Sequence, residues 1–298
     1  MGPLIKTNMT RCIHCTRCVR FSTEVAGVND LGALGRGEGM EITTYLENSI
    51  DSELSACVID LCPVGALTSK PYAFNARPWE LSHTETVDVM DAIGSNIRVD
   101  TKGNQVLRVL PRLNEDINEE WISDKTRYAI DGLKNQRLDK PYVRNENGSL
   151  EETDWDTAFN KIKDKIDKIK PNEIACLLGD LIDVEAAYAA KTLFQKLNVE
   201  NIDCRIDGAE IGEHGRAGYI FNSKINGIDE ADALLIFGSN PRLEAPVLNA
   251  RIRKRYLQGN FPITLIGENN NLTYPVNYLG SKSIDIEKLR DKKNKVYK

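Results

Sequence analysis

The chain has 298 residues, long enough for two domains, since one domain usually takes about 100 to 200 residues. Hydrophobic residues make up 41% and charged residues 28%, and no apolar run approaches the roughly 18 residues that a membrane span needs. The formal charge is -5 and the Lys and Arg residues are scattered, so the composition argues against nucleic-acid binding, which requires a basic patch.

Four cysteines in the first quarter of the chain follow the spacing of an iron–sulfur site. Cys12, Cys15 and Cys18 form a CxxCxxC run, and Cys62 is followed directly by Pro63. Bacterial-type [4Fe-4S] clusters take three thiolates from such a run and a fourth from a distant Cys-Pro. Zinc is the alternative, although its sites more often use two separated CxxC pairs or combine Cys with His. The spacing therefore predicts one [4Fe-4S] cluster and electron transfer.

Other candidate ligands and thiols are weaker. Cys57 lies five positions before Cys62 and competes as the fourth ligand, but it lacks a following proline, so the sequence favours Cys62. His14 lies inside the CxxCxxC run, where it resembles a zinc ligand. Cys176 and Cys204 lie in short apolar runs, and we predict that both are buried in the core. The seven cysteines together indicate a reducing compartment rather than a disulfide framework.

The elements predicted before residue 146 fall into two regions. Residues 1–78 form the cluster-binding region, in which the glycines of GALGRGEGM allow tight backbone turns and the helix DSELSACVID delivers Cys62. Pro63 then prevents the helix from continuing. Residues 79–145 are predicted to be β-rich, with strands at TVDVMDAI, NIRVDT and QVLRVLP. The KGN turn at residues 102–104 indicates a hairpin between the last two strands.

From residue 146 to residue 298, strands alternate with helices, which predicts a parallel α/β sheet. The segment ETDWDTAFNKIKDKIDKIK predicts an amphipathic helix with Thr153 or Asp154 as its N-cap. Residues 238–242 follow a strand at the sheet edge where such folds bind cofactors, but the chain has no GxGxxG motif or P-loop, which favours a structural turn. His83 and His214 have no partners in sequence, so neither supports a catalytic site.

Several segments together carry a resemblance to a known family over nearly the whole chain. They are MTRCIHCTRCVRF, LGALGRGEGM, CPVGALTSKPYAFNARPWE, VDVMDAIGSNI, EDINEEWISDKTRYAIDGL and GSNPRLEAPVLNARIRK. The chain closely resembles the large iron–sulfur subunit of respiratory complex I, the proton-pumping NADH:ubiquinone oxidoreductase, especially its mitochondrial and α-proteobacterial form. The resemblance implies that Cys12, Cys15, Cys18 and Cys62 bind the subunit's second [4Fe-4S] cluster, a relay between NADH/FMN and ubiquinone. It implies no catalytic pocket within this chain.

The later part of that family is similar to molybdopterin oxidoreductases, whose corresponding region opens with a cysteine-bound cluster. The matching positions are Asp88, Asp91, Ser95 and Ser123, none of which supplies a thiolate. The resemblance therefore implies no second cluster in residues 79–145. It also implies that residues 146–298 are a partial molybdopterin-oxidoreductase-like domain kept as a scaffold, without a molybdenum cofactor.

The resemblance also implies partners and a location. The family's amino-terminal [2Fe-2S] domain with its neighbouring cluster is not in this sequence, so we expect a split subunit whose missing domain lies on a separate chain, with processing or a fragment as the alternative. Other peripheral-arm subunits are the expected partners. The expected location is the matrix side of the mitochondrial inner membrane, or else the bacterial cytoplasmic face. Two other functions stay open: a fragment of a molybdopterin-dependent dehydrogenase, and a zinc-binding structural assembly protein.

Overall fold

The computed structural model describes residues 1–45, 48–133, 135–205, 212 and 215–290. The chain divides into two compact units: Met1–Asp131 together with Phe221–Lys298 form the large unit, and Gly132–Ile220 form the small unit. The boundaries predicted near residues 78 and 145 stay predictions. Within the described ranges, no helix combines the length and the apolar character needed to cross a membrane.

The first 70 residues form short elements around a shared core. The elements are β1 (Ile5–Thr7), α1 (Arg17–Arg20) with a π-helical continuation (Phe21–Ala26), β2 (Leu31–Leu34), β3 (Glu41–Thr44), α2 (Cys57–Leu61) and β4 (Leu67–Ser69). Strand β1 pairs antiparallel with β4, and β2 pairs antiparallel with β3. Phe21 and Val58 meet in one buried cluster with Val247. The helices that precede or follow the cysteines therefore share one hydrophobic core.

One glycine of the GALGRGEGM segment is required by the backbone. Gly35 has φ +76, in the left-handed region, and a Cβ atom there would lie 2.5 Å from the carbonyl oxygen of Gly39. Any other residue would meet both the strain of the left-handed conformation and that contact. The predicted use of glycine for a tight turn between β2 and β3 is confirmed at this position.

The next segment forms an antiparallel sheet of three strands followed by a helix. The elements are β5 (Ser82–Val87), β6 (Asn96–Lys102), β7 (Gln105–Pro111) and α3 (Asp124–Tyr128). Lys102 pairs with Gln105 across the turn, and Gly103 has φ +57, so the predicted hairpin is confirmed. Ile97, Val109 and Ile122 pack together beneath the sheet.

The strand predicted at TVDVMDAI is displaced. Strand β5 ends at Val87, and the chain then turns. The Asp88 carboxylate accepts a hydrogen bond from the Met90 N–H at 3.1 Å, and the Asp91 carboxylate accepts one from the Ile93 N–H at 3.1 Å. Such local bonds from Asp side chains compete with a strand ladder, which explains why the apolar alternation there does not continue the strand.

The described residues of the small unit include two pairs of strands and two α-helices. Its elements are β8 (Tyr142–Arg144), β9 (Leu150–Glu152), α4 (Trp155–Ile166), β10 (Cys176–Leu177), α5 (Val184–Lys196) and β11 (Ile202–Asp203). Strands β8 and β9 pair antiparallel, whereas β10 and β11 pair parallel. The predicted amphipathic helix is confirmed as α4, and of the two candidate N-caps Asp154 is the one whose side chain accepts from the Thr157 N–H, at 2.7 Å.

The prediction that the two later cysteines are both buried in the core is wrong. Cys176 on β10 is half-buried, but Cys204 is exposed. Cys204 follows the end of β11, where the Asp203 carboxylate accepts hydrogen bonds from the backbone N–H groups of Cys204 and Arg205 at 2.8 and 3.0 Å. This turn ends the strand before the thiol reaches the interior.

A second parallel sheet completes the large unit. Its elements are β12 (Leu234–Phe237), α6 (Pro241–Glu244), α7 (Pro246–Leu257), β13 (Ile263–Ile266) and β14 (Asn277–Gly280). The strand order is β12-β13-β14, all parallel. Leu265 is fully buried and packs in a cluster with Ile236 and Phe261. The prediction of parallel strands and helices is confirmed, but the described strands form two separate parallel sheets rather than one.

Candidate iron–sulfur centre

The four thiols selected by their spacing line one pocket in the large unit. Cys12, Cys15 and Cys18 meet Cys62 and Pro63 there. The rest of the lining consists of Met9, Ile13, Thr16, Arg17, Ile42, Val64, Ala66 and Leu67. Burial raises the pKa of the Cys18 thiol, and the neighbouring Cys15 and Cys12 add to the rise. A bound metal cluster would reverse this tendency, because metal binding favours the thiolate.

The CxxCxxC loop curves around the pocket through two residues in the left-handed conformation. His14 has φ 54 and Thr16 has φ 57. Neither is glycine, so each costs roughly 1–2 kcal/mol that the surrounding structure must offset. The His14 backbone N–H donates to Cys12 Sγ at 3.4 Å. His14 thus contributes its backbone, and its imidazole is not among the groups that line the pocket.

The fourth thiol is delivered from the end of a helix, as predicted, although α2 covers only Cys57–Leu61. Cys62 follows with φ -76 and ψ 106, an extended conformation, and Pro63 prevents another helical turn. The chain then folds back so that the Leu67 N–H donates to Cys62 Sγ at 3.4 Å. Backbone donors of this kind stabilise negative charge on sulfur.

The competing thiol, Cys57, lies outside the pocket. It is fully buried at the start of α2, and its Sγ donates to the Ile122 carbonyl at 3.2 Å. Burial raises the pKa of this thiol to about 12. A proton held so firmly is the opposite of what a metal ligand requires. The geometry therefore supports the choice of Cys62 over Cys57 as the fourth ligand.

Four thiols at one pocket are the donor set of an iron–sulfur cluster, and zinc is the alternative metal for such a set. A tetrahedral zinc site would hold its sulfurs about 3.8 Å apart, given a Zn–S bond of about 2.3 Å. A [4Fe-4S] cluster binds each thiolate at a different iron and accepts a wider arrangement. Four thiols around one largely apolar pocket match the donor set of such a cluster.

The positions matched to a second cluster hold oxygen-bearing side chains. They are Asp88, Asp91, Ser95 and Ser123, and residues 81–131 contain no cysteine. Thr126 Oγ1 donates to Asp88 Oδ2 at 2.8 Å and lies 2.8 Å from Ser123 Oγ. Burial raises the pKa of Asp91, whose carboxylate lies 3.5 Å from Lys125 Nζ. These groups form a hydrogen-bonded network between the segment after β5 and the start of α3.

The remaining candidate positions take structural roles or lie apart. Gly238 has φ +72, as expected of a turn, and its N–H donates to the Ile266 carbonyl at 2.8 Å, which continues the pairing of β12 with β13. Arg242 Nε donates to Glu53 Oε2 at 2.9 Å, so its charge is engaged within the large unit. His83 is exposed on β5, and His214 lies outside the described residues.

Three family models match the chain. The molybdopterin oxidoreductase model matches residues 137–297, more than half of the chain. The model for the NADH-quinone oxidoreductase subunit 3, ferredoxin-like domain matches residues 2–68, and the NADH-ubiquinone oxidoreductase NDSU1/NuoG-like, 4Fe-4S domain matches residues 81–131. The chain therefore belongs to the molybdopterin oxidoreductase family, with iron–sulfur domains of the NADH–quinone oxidoreductase type preceding its molybdopterin-like part.

The similar proteins point to a narrower group than the family models do. The chain is 54% identical over 292 residues to the mitochondrial NADH-ubiquinone oxidoreductase 78 kDa subunit of Candida albicans, covering 96% of this chain and 40% of the relative. It is 53% identical over 289 residues to an NADH-quinone oxidoreductase subunit of Rickettsia felis, covering 97% of this chain and 43% of the relative. The NADH-ubiquinone oxidoreductase 75 kDa subunit of Reclinomonas americana is 53% identical over 295 residues, which cover 94% of this chain and 42% of the relative.

These comparisons confirm the predicted resemblance to the large iron–sulfur subunit of complex I. The chain spans about two fifths of the length of the curated relatives it matches.

Proposed function

We propose that the chain is an electron-relay part of complex I that passes single electrons through one [4Fe-4S] cluster between NADH/FMN and ubiquinone. The observation that carries this proposal is the pocket that Cys12, Cys15, Cys18 and Cys62 line together. The names of the relatives, all NADH–quinone or NADH–ubiquinone oxidoreductase subunits, support the assignment to this complex. Reduction of quinone would belong to the assembly rather than to a catalytic residue of this chain.

The residues around the pocket would have distinct roles. When bound, a [4Fe-4S] cluster supplies one-electron chemistry at a potential that its surroundings set. The four thiolates would hold it, and Ile13 and Ile42 would keep water from it. The N–H groups of His14 and Leu67 already donate to Cys12 and Cys62 sulfur. Such donors offset negative charge on the ligands and raise the reduction potential.

The segment 81–131 and the molybdopterin-like part would act without metal. Residues 81–131 match the model of a 4Fe-4S domain but carry no cysteine. We therefore infer that they contribute packing and positioning rather than bind a second cluster. We also infer that the α/β elements after residue 146 serve as a scaffold without a molybdenum cofactor. The predicted separate chain with the amino-terminal domain stays a prediction.

Partners and location follow from the same proposal. The partners would be other peripheral-arm subunits of complex I, and the location would be the matrix side of the mitochondrial inner membrane or the cytoplasmic face of a bacterial one. Mitochondrial and bacterial relatives at similar identity support both locations. A molybdopterin-dependent dehydrogenase fragment is the second candidate, favoured by the family match over residues 137–297.

Metal analysis of the anaerobically purified or reconstituted chain tests these proposals. We expect about four irons and four sulfides per chain and a paramagnetic signal on reduction. Zinc in place of iron, with no such signal, would refute the relay, and molybdenum or tungsten at about one per chain would favour the dehydrogenase.

The ligand set is tested by two substitutions five positions apart. Cys62→Ser should abolish or severely disturb the cluster, because it removes a thiolate from the pocket. Cys57→Ser should leave the iron content and the spectrum unchanged, because Cys57 lies outside the pocket. The reverse pair of results would overturn the assignment.

A further inference from the structure

The helix that precedes Cys62 is too short to be stable by itself. Helix α2 has 5 residues and no side-chain hydrogen bond at its N-cap, Ala56. Isolated helices shorter than about 12 residues are marginal in water even for favourable sequences. The position of Cys62 therefore depends on contacts that other parts of the chain make with α2, and most of the polar ones come from around α3.

The start of α2 is capped from a distance by Asp124. The Asp124 carboxylate accepts hydrogen bonds from the Ala56 N–H at 2.9 Å, the Ser55 N–H at 3.1 Å and the Ser55 hydroxyl at 2.6 Å. In return, the Asp124 N–H donates to the Glu53 carbonyl at 2.8 Å. One carboxylate thus accepts from the N-cap N–H of α2 and from the turn before the helix, where the Ser55 N–H also donates to the Ser52 carbonyl at 3.0 Å.

The end of α2 is held by Arg127, one turn further along α3. Its guanidinium forms a two-pronged ion pair with Asp60: Nη1 donates to Oδ1 at 3.2 Å and Nη2 donates to Oδ2. Nη1 also lies 3.4 Å from the Val109 carbonyl of β7. The Arg127 side chain is only 5% exposed. A buried, bidentate Arg–carboxylate pair fixes orientation as well as distance, and Asp60 lies two residues before Cys62.

We propose that Asp124 and Arg127 are positioning residues for the fourth cluster ligand. They act through α2, since neither lines the pocket of the four thiols. The inference rests on the proposed function. The CxxCxxC loop has no hydrogen bond with α3 in the part of the chain that the structure describes. Loosening the contacts of α3 should therefore act on Cys62 directly, and on Cys18 only through the core that α1 and α2 share.

That asymmetry gives a specific readout. When a [4Fe-4S] cluster loses the iron held by one weakened ligand, the reaction is [4Fe-4S]²⁺ → [3Fe-4S]⁺ + Fe²⁺ + e⁻, with ferricyanide as the added oxidant that takes up the electron. The three-iron product has its own paramagnetic signal in the oxidised state. General loss of structure would instead release all the iron without accumulating this product.

The experiment uses the full chain with its cluster, titrated with ferricyanide. The variants are Asp124→Asn, Arg127→Gln and Arg127→Lys. The matched control is Glu85→Gln, which breaks an exposed ion pair with Arg112 in the same segment, away from α2. We expect conversion to the three-iron form to be roughly tenfold or more faster in Asp124→Asn and Arg127→Gln, the scale on which outer contacts of metal ligands act. Arg127→Lys should be intermediate, and the control should match the unmodified chain.

Each outcome decides one of the two proposals. An unmodified chain that binds no cluster refutes the proposed function itself. An unmodified chain with its cluster, and variants that convert no faster than the control, overturns the positioning role alone. Asn has nearly the same shape as Asp, so Asp124→Asn still tests the positioning role if Arg127→Gln fails to fold. If Asp124→Asn loses all its iron together with its secondary structure, the contact serves general folding and the inference is wrong.

Discussion

The protonation of Cys57 predicts an unusual pH dependence of its reactivity. Burial raises the pKa of this thiol from 9.0 to about 12, a change of about 3 pH units, or about 4 kcal/mol at about 1.4 kcal/mol per unit. The thiol has the higher pKa in the folded protein, so the folded state is favoured fully while the unfolded thiol is also protonated, below pH 9.0. This contribution to folding stability is lost as the pH rises towards 12. Between these values, local opening around Cys57 should become easier by about 1.4 kcal/mol, or tenfold, per pH unit.

Pulsed alkylation with iodoacetamide measures this effect. A peptide containing SACVID should react at a rate that levels off above about pH 9, because its thiol is then ionised. Cys57 in the folded, cluster-loaded chain should react far more slowly, yet its rate should keep rising about tenfold per unit up to about pH 10.5. Cys204, which is exposed, should be modified first. A rate at Cys57 that levels off near about pH 9, or that equals the peptide's, would refute the buried, protonated thiol.

Two further substitution pairs test the fold. Gly35→Ala should lower the thermal unfolding temperature more than Gly37→Ala does. Both glycines have positive φ, but only at Gly35 would a Cβ atom meet the Gly39 carbonyl. Equal shifts in unfolding temperature would contradict the tight turn. Leu265→Ala should lower the free energy of unfolding by about 2–5 kcal/mol in urea, because this side chain is fully buried. Leu257 is 56% exposed, so Leu257→Ala should lower it by less than about 0.5 kcal/mol. Similar losses in the two variants would show that the core around β13 is misplaced.

Features that depend on local chemistry were predictable from the sequence. The CxxCxxC run and Cys62-Pro63 select four thiols that meet in one pocket, because both motifs set backbone direction within a few residues. The hairpin at Gly103 and the N-cap at Asp154 are likewise local and are confirmed. The same reasoning was wrong for Cys204, since an apolar run predicts a strand but not where a neighbouring Asp ends it.

The contacts that position Cys62 could not be found in this way. Asp124 is an acidic residue in a helix start, and Arg127 is a basic residue one turn later, a pattern typical of a solvated helix. Only the fold shows that both face α2, more than sixty residues earlier in the chain. The sequence signal that points toward them is weak: α2 is short and has no capping side chain of its own, so a distant partner is needed.

The hydrogen-bonded network within residues 81–131 connects the segment after β5 to the start of α3. Ser123 is the N-cap of α3, and Thr126 joins it to the buried Asp88 carboxylate. Asp124 and Arg127 lie on the same helical turn that this network fixes. A helix start held by buried oxygen groups can therefore hold another helix in turn. By this reasoning, Asp88 and the segment after β5 are connected to Cys62 through α3 and α2. A segment without cysteine would thus help to position a ligand of the proposed cluster.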